Sequence, residues 1–112
     1  MSEAEFVQQL LVVSDDLECS MAMSALADRA ILAFPKSARL WSLRGKLIPM
    51  TPDGTISIED ALHCFRKAVE LDPFCADAYE QLANYFDGYR DDRERAMKHY
   101  KVAEWIRSKS ES

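Results

Sequence analysis

Apolar residues recur along this chain every three to four positions, and the runs are interrupted at prolines or at short clusters of Asp, Ser and Gly. That period is one face of an amphipathic helix. Phe6, Val7, Leu10 and Leu11 predict a first helix over about residues 3–13. Met23, Ala27, Ala30 and Phe34 predict a second, opened by a capping box of Asp15 with Glu18 and stopped by Pro35. Ser37 is placed to cap a third helix over 38–48, which carries Leu40, Trp41, Leu43 and Leu47 and ends at Pro49. Residues 50–55 read as a loop with a Pro-Asp-Gly turn, and Ser57 with Asp60 forms a second capping box before a fourth helix over 58–71. After Asp72-Pro73, a fifth helix is expected over 75–87 with Gly88 as its C-terminal cap. Asp91 with Glu94 would open a sixth, running to about Ser108, and the last residues, Lys109 to Ser112, are expected to fray. No stretch alternates with period two over a strand's length, so the expected class is all-α in a single domain spanning residues 1–112.

Within this pattern one run repeats. Ala61, Phe65, Ala68 and Pro73 stand at offsets 0, 4, 7 and 12, which sets small, aromatic and small side chains on one helix face before the proline turns the chain. Ala96, Tyr100 and Ala103 restate it 35 residues later, and Trp41 and Tyr79 are 38 apart, as are Pro35 and Pro73. A recurrence at this period marks stacked helical hairpins. Small residues at Gly45, Ala61, Ala68 and Ala83 would let helices approach closely, while Trp41, Phe65, Tyr79 and Phe86 would fill the space between hairpins.

Trp41-x3-Gly45 followed by Ala61-x3-Phe65-x2-Ala68-x4-Pro73, and Tyr79-x2-Leu82-Ala83-x2-Phe86 followed by Ala96-x3-Tyr100-x2-Ala103, resemble the tetratricopeptide repeat. The likeness covers residues 38–107. The segment before it keeps the spacing at Met23, Ala27, Ala30 and Pro35 but not the residue types, and is read as a divergent capping repeat. The resemblance implies three stacked antiparallel hairpins, at about 3–34, 38–71 and 75–108, in a right-handed superhelix. One departure is Arg44, which occupies the place of the usual leucine beside Gly45. Either the helix turns so that Leu43 faces inward, or Arg44 has a buried partner.

The first helix of each hairpin lines the concave face in that family, where an extended peptide or a partner helix is held. By that likeness the groove residues here are Arg39, Ser42 and Lys46 from one repeat and Asp77, Glu80 and Asn84 from the next, a basic wall facing an acidic one. A mixed-charge segment is the expected occupant. One subfamily clamps the C-terminal carboxylate of heat-shock chaperones with spaced lysine, asparagine and arginine residues. Asn84 and Lys46 fit such places, but Asp77 and Glu80 stand where later cations are needed. At the other end, solenoids commonly require a polar capping helix. Val102, Trp105 and Ile106 of the sixth helix are therefore a candidate interface edge for a homodimer or a docked partner, unless Trp105 folds back on the fifth helix.

Composition narrows the function classes. With 112 residues, 48% hydrophobic, the chain can bury a modest core, and three glycines with four prolines are too few for disorder. The net charge of −5 argues against a general nucleic-acid binder. Residues 1–36 carry six acids against two bases, which would favour a basic partner if it is more than a solvated surface. The N-terminal stretch is acidic where an export signal is basic, and its apolar run is too short to span a membrane, so a cytoplasmic protein is expected. Cys19, Cys64 and Cys75 have no metal-ligand spacing, and His63 and His99 read as products of the repeat, not as an acid–base pair. There is no phosphate loop, zinc-protease motif or nucleophile elbow. The expectation is a non-catalytic protein–protein interaction module, an adaptor, assembly factor or small chaperone, with no cofactor and no metal. Its partner would be a protein or peptide, with neither nucleic acid nor membrane. The alternative is a structural subunit that self-associates through its C-terminal helix.

Overall fold

A computed structural model describes residues 2–11, 17–48 and 58–110, with the backbone alone for 17–24 and 110. The chain is all-α. Among the described residues there are six helices and no strand: α1 (Glu3–Leu11), α2 (Leu17–Ala33), α3 (Ala38–Leu47), α4 (Ile58–Leu71), α5 (Ala76–Gly88) and α6 (Arg93–Ser110). Each helix packs against the next, most extensively α3 on α4 and α5 on α6, and α3 also touches both α1 and α5. The two N-terminal capping boxes, the inward facing of Met23 and the Pro-Asp-Gly loop lie outside the described residues.

The local signals explain most helix ends. Ser37 takes an extended conformation and its hydroxyl oxygen accepts the Leu40 N–H at 3.3 Å, so it caps α3 as expected. The same hydroxyl donates to Glu3 Oε1 at 2.6 Å, which ties the start of α1 to the start of α3. Ser2 and Glu5 form a reciprocal cap on α1, with the Glu5 N–H on Ser2 Oγ and the Ser2 N–H on Glu5 Oε1. These bonds to the ionised carboxylate hold Glu5 below its usual pKa.

Three boundary expectations are corrected. Gly88 is the last residue inside α5 and Tyr89 follows it as the cap in ordinary right-handed geometry. The chain turns instead at Asp91, whose φ of 50° is left-handed, a conformation that Asp tolerates better than most residues. That turn moves the cap of α6 one residue on: Asp92 Oδ1 accepts the Arg95 N–H at 3.1 Å, and Asp92, not Asp91, opens the helix. At the far end α6 continues through Ser110, so Lys109 and Ser110 are helical.

Helix α3 divides the core. Leu40, Leu43 and Leu47 pack with Phe6, Leu10 and Ala27 of the first two helices. Its other side carries Gly45 and Ile48 toward α4 and α5, where Phe65, Leu82, Tyr85 and Phe86 are buried. Ala38, Ala68 and Ala78 meet between them, small enough to let α3, α4 and α5 come together. Gly45 marks a close α3–α4 approach: a Cβ placed there would lie 2.5 Å from Phe65 Cε1. The repeat also has a counterpart in contacts, since Trp41 meets His63 edge-on and Tyr79 lies beside His99.

Both alternatives raised for Arg44 hold together. Leu43 is buried, and the Arg44 guanidinium reaches Asp28 Oδ1 at 2.7 Å and Cys64 Sγ at 2.8 Å. Burial works against the charge of Arg44, but Asp28 and Cys64 together hold its pKa above the ordinary value. The pair ties α2 to α4 across α3.

Candidate binding groove

A groove of about 430 Å³ runs across α1, α3, the turn before α5, and the end of α6. Its α3 wall carries Arg39, Leu43 and Lys46, on one helix face at spacings of four and three residues. Arg39 and Lys46 are exposed, whereas Leu43 is buried and serves as floor. Asp72, Cys75, Ala76 and Asp77 also line it, together with Leu11 of α1 and Arg107 of α6. An adjoining hollow of about 600 Å³ is lined by Glu80, Tyr100, Ala103 and Arg107.

The six residues marked by sequence therefore divide. Arg39, Lys46 and Asp77 line one continuous groove, and Glu80 lines the hollow beside it. Ser42 is fully buried, and its hydroxyl donates to Asp77 Oδ2 at 2.8 Å. It fixes a groove wall and presents nothing to a ligand. Asn84 is exposed and accepts a short hydrogen bond from the Tyr100 hydroxyl, so it too is engaged with α6.

Pairing within the acidic side is extensive. Asp72 Oδ1 accepts the Phe74 N–H at 3.0 Å, Asp77 holds Ser42, and Glu80 Oε2 pairs with Arg107 Nη1 at 2.5 Å. Arg39 and Lys46 form no ion pair among the described residues. Cys75, half-buried at the α5 end of the groove, has its thiol pushed up by burial. Cys64 is fully buried and is likewise pushed up by burial, against the opposing pull of the Arg44 charge.

Arg107 and the apolar residues Leu11 and Leu43 were missing from the sequence-marked set. A signal for Arg107 was present: Ala96, Tyr100, Ala103 and Arg107 follow the i, i+4, i+7, i+11 stripe, so Arg107 ends the packing face of α6.

The proposed edge does not form one surface. Trp105 is 54% exposed and Val102 38%, but Ile106 is only 6% exposed and belongs to the core. Trp105 does not fold back on α5 in hiding; its ring is open to solvent with the Lys109 ammonium 5.8 Å from its centroid. Arg107 and Tyr100 instead cover the outer side of α5 and α6 with polar contacts to Glu80 and Asn84.

Comparison with known proteins finds no match among family models, curated proteins or solved structures. Among the described residues no helix is long and apolar enough to cross a membrane, and no three His, Cys, Asp or Glu gather as a metal site.

Proposed function

We propose that this chain is a non-catalytic peptide-binding module built, like tetratricopeptide repeats, from three stacked antiparallel hairpins, and that it serves as an adaptor, assembly factor or small chaperone. The observation that carries the reading is the groove itself. It crosses the first helix of each proposed hairpin, and its lining joins exposed charge to an apolar floor. A surface of that composition suits an extended chain, which offers alternating apolar and polar groups. The repeat spacing, the close Gly45–Phe65 approach and the α1–α3–α5 contacts support the hairpin stack.

The test is a photo-crosslinking amino acid placed at position 46 and, separately, at Arg66 on the exposed part of α4, in protein produced in its own host. Adducts that form at 46, not at 66, and that a Leu11→Asp change removes fit the groove. Equal labelling at both positions, or none at 46, refutes it.

The exposed Trp105 and Val102 favour a second reading, self-association through α6. Sedimentation of wild type and Trp105→Ser at high concentration decides it. A concentration-dependent dimer lost in the variant fits, and a monomer throughout removes it.

A further inference from the structure

We infer that a cavity between α3, α4 and α5 binds a small aromatic molecule whose substituent is a hydrogen-bond acceptor, such as a ketone. The cavity has a volume of about 250 Å³. Its floor is buried and apolar, made by Gly45, Ala61 and Phe65 with the ring of Tyr85. Its mouth is polar, with half-buried Gln81 and exposed Lys46 and Asn84. The site is separate from the α3 groove, which it meets only at Lys46, and it does not depend on peptide binding there.

Size and lining point to a single ring. An apolar cavity of about 150 Å³ is enough for benzene, and drug-sized ligands occupy about 300 Å³ or more. A volume between the two suits one ring with a short substituent. Gly45 and Ala61 bring little bulk to the floor, which leaves the Phe65 ring accessible from the cavity. Tyr85 and Tyr89 also line it, their centroids 6.0 Å apart and their planes tilted by 40°. Three aromatic side chains around one space offer a guest ring edge-to-face and offset contacts.

The hydrogen bonds already made decide the substituent. Asn84 Oδ1 accepts the Tyr100 hydroxyl, which leaves the Asn84 NH₂ group to donate. The Tyr85 hydroxyl oxygen accepts the Arg90 Nε–H at 3.0 Å, so its own O–H is the group left to offer. Gln81 makes no side-chain hydrogen bond among the described residues, and Lys46 supplies donors alone. The mouth is therefore rich in donors. No acid is among the described residues that line the cavity, so an ammonium group would face Lys46 without a countercharge. A ring held on the apolar floor with its acceptor turned toward Gln81 and Asn84 satisfies both ends.

The experiment titrates three fluorinated compounds against the full chain and follows their ¹⁹F resonances. 4-Fluoroacetophenone has the ring and the acceptor, 4-fluorotoluene the ring alone, and 4-fluorobenzylamine the ring with an ammonium group. The ketone should bind with Kd on the order of 1 mM, as suits about ten heavy atoms. One hydrogen bond gives it roughly a fivefold advantage over the toluene, and the amine should be the weakest. Gln81→Phe, which fills the cavity, should abolish binding of the ketone. Gln81→Ala should keep the toluene and erase the ketone's advantage, a pattern that an unfolded variant cannot mimic. Lys101→Glu, exposed on α6, should change neither. Ketone binding that survives Gln81→Phe in folded protein places the compound elsewhere and overturns the site. Equal binding of ketone and toluene, or preference for the amine, overturns the donor mouth. If wild type binds none of the three, the inference falls, and binding gained only when Met50 and Ile56 are replaced by serine would assign the cavity to the chain's own connector instead.

Discussion

Replacing Gly45 by alanine sets two opposed effects against one another, and the geometry decides the sign. In a helix interior, glycine to alanine is normally favourable by about 1 kcal/mol, because alanine orders with less loss of backbone entropy. Here the new Cβ would lie 2.5 Å from Phe65 Cε1, 2.9 Å from Phe65 Cδ1 and 3.0 Å from Cys64 Cβ. Carbon atoms rest at about 3.5–4.0 Å, so the helices must separate by roughly 1 Å or the ring must move. Phe65 is 4% exposed and sits with Ala61, Leu82 and Phe86 in one buried cluster, and it borders a cavity of about 250 Å³ that Gly45, Ile58 and Tyr85 also line. Overpacking of this kind costs about 1–3 kcal/mol. The net expectation is a loss of up to about 2 kcal/mol, after the propensity gain is subtracted. Urea unfolding followed by far-UV circular dichroism measures it. The double variant Gly45→Ala/Phe65→Leu isolates the cause: removing the ring should recover about 1 kcal/mol relative to the sum of the single changes. A Gly45→Ala protein more stable than wild type, or a double variant with additive losses, would refute a tight α3–α4 approach.

Phe65→Ala should cost about 3–5 kcal/mol and lower Tm by roughly 10 °C or more, so a shift of a degree or two by calorimetry contradicts its place in the core. Ser42→Ala removes the hydroxyl that holds Asp77 and should destabilise by about 1 kcal/mol in the same urea assay, with no change expected if that contact is absent. In native protein, alkylation followed by peptide mass spectrometry should modify Cys75 before the fully buried Cys64. Because burial raises both thiols, the Cys75 rate should climb only above the pH at which an ordinary thiol ionises, and a rate that saturates below that pH would contradict its surroundings.

The helices were legible because their determinants are local. Pro35, Ser37 and the Asp72-Pro73 pair act within a turn or two of themselves, and the α4 boundaries fall where periodicity puts them. The misplacements near residue 90 have a common origin. Three successive candidates, Gly88, Asp91 and Asp92, all suit a helix end by residue type. Which one caps is decided by how the chain reverses between α5 and α6, including the Asp92 N–H to Phe86 carbonyl bond at 2.9 Å. That is a tertiary outcome, invisible in a window of a few residues.

The groove was legible only as a register, and the remainder depended on which side chains reach one another. The likeness to the repeat marked Arg39, Ser42 and Lys46 on α3, yet it could not show that Ser42 is buried while its neighbours stay exposed. The difference arises across helices, because α5 brings Asp77 over Ser42 and gives that hydroxyl a partner 35 residues away. The same holds at Glu80, which a sequence reads as free charge until Arg107 is found against it. Arg107 also explains why the outer side of the last two helices is less apolar than a bare repeat end. Tyr100 and Ala103 occupy the places of Phe65 and Ala68, but here Arg107–Glu80 and Tyr100–Asn84 supply polar cover. Val102 and Trp105 of α6 stay exposed beyond that cover. Two docking surfaces therefore stay open on the fold, the α3 wall with exposed Arg39 and Lys46 and the α6 face with Val102 and Trp105.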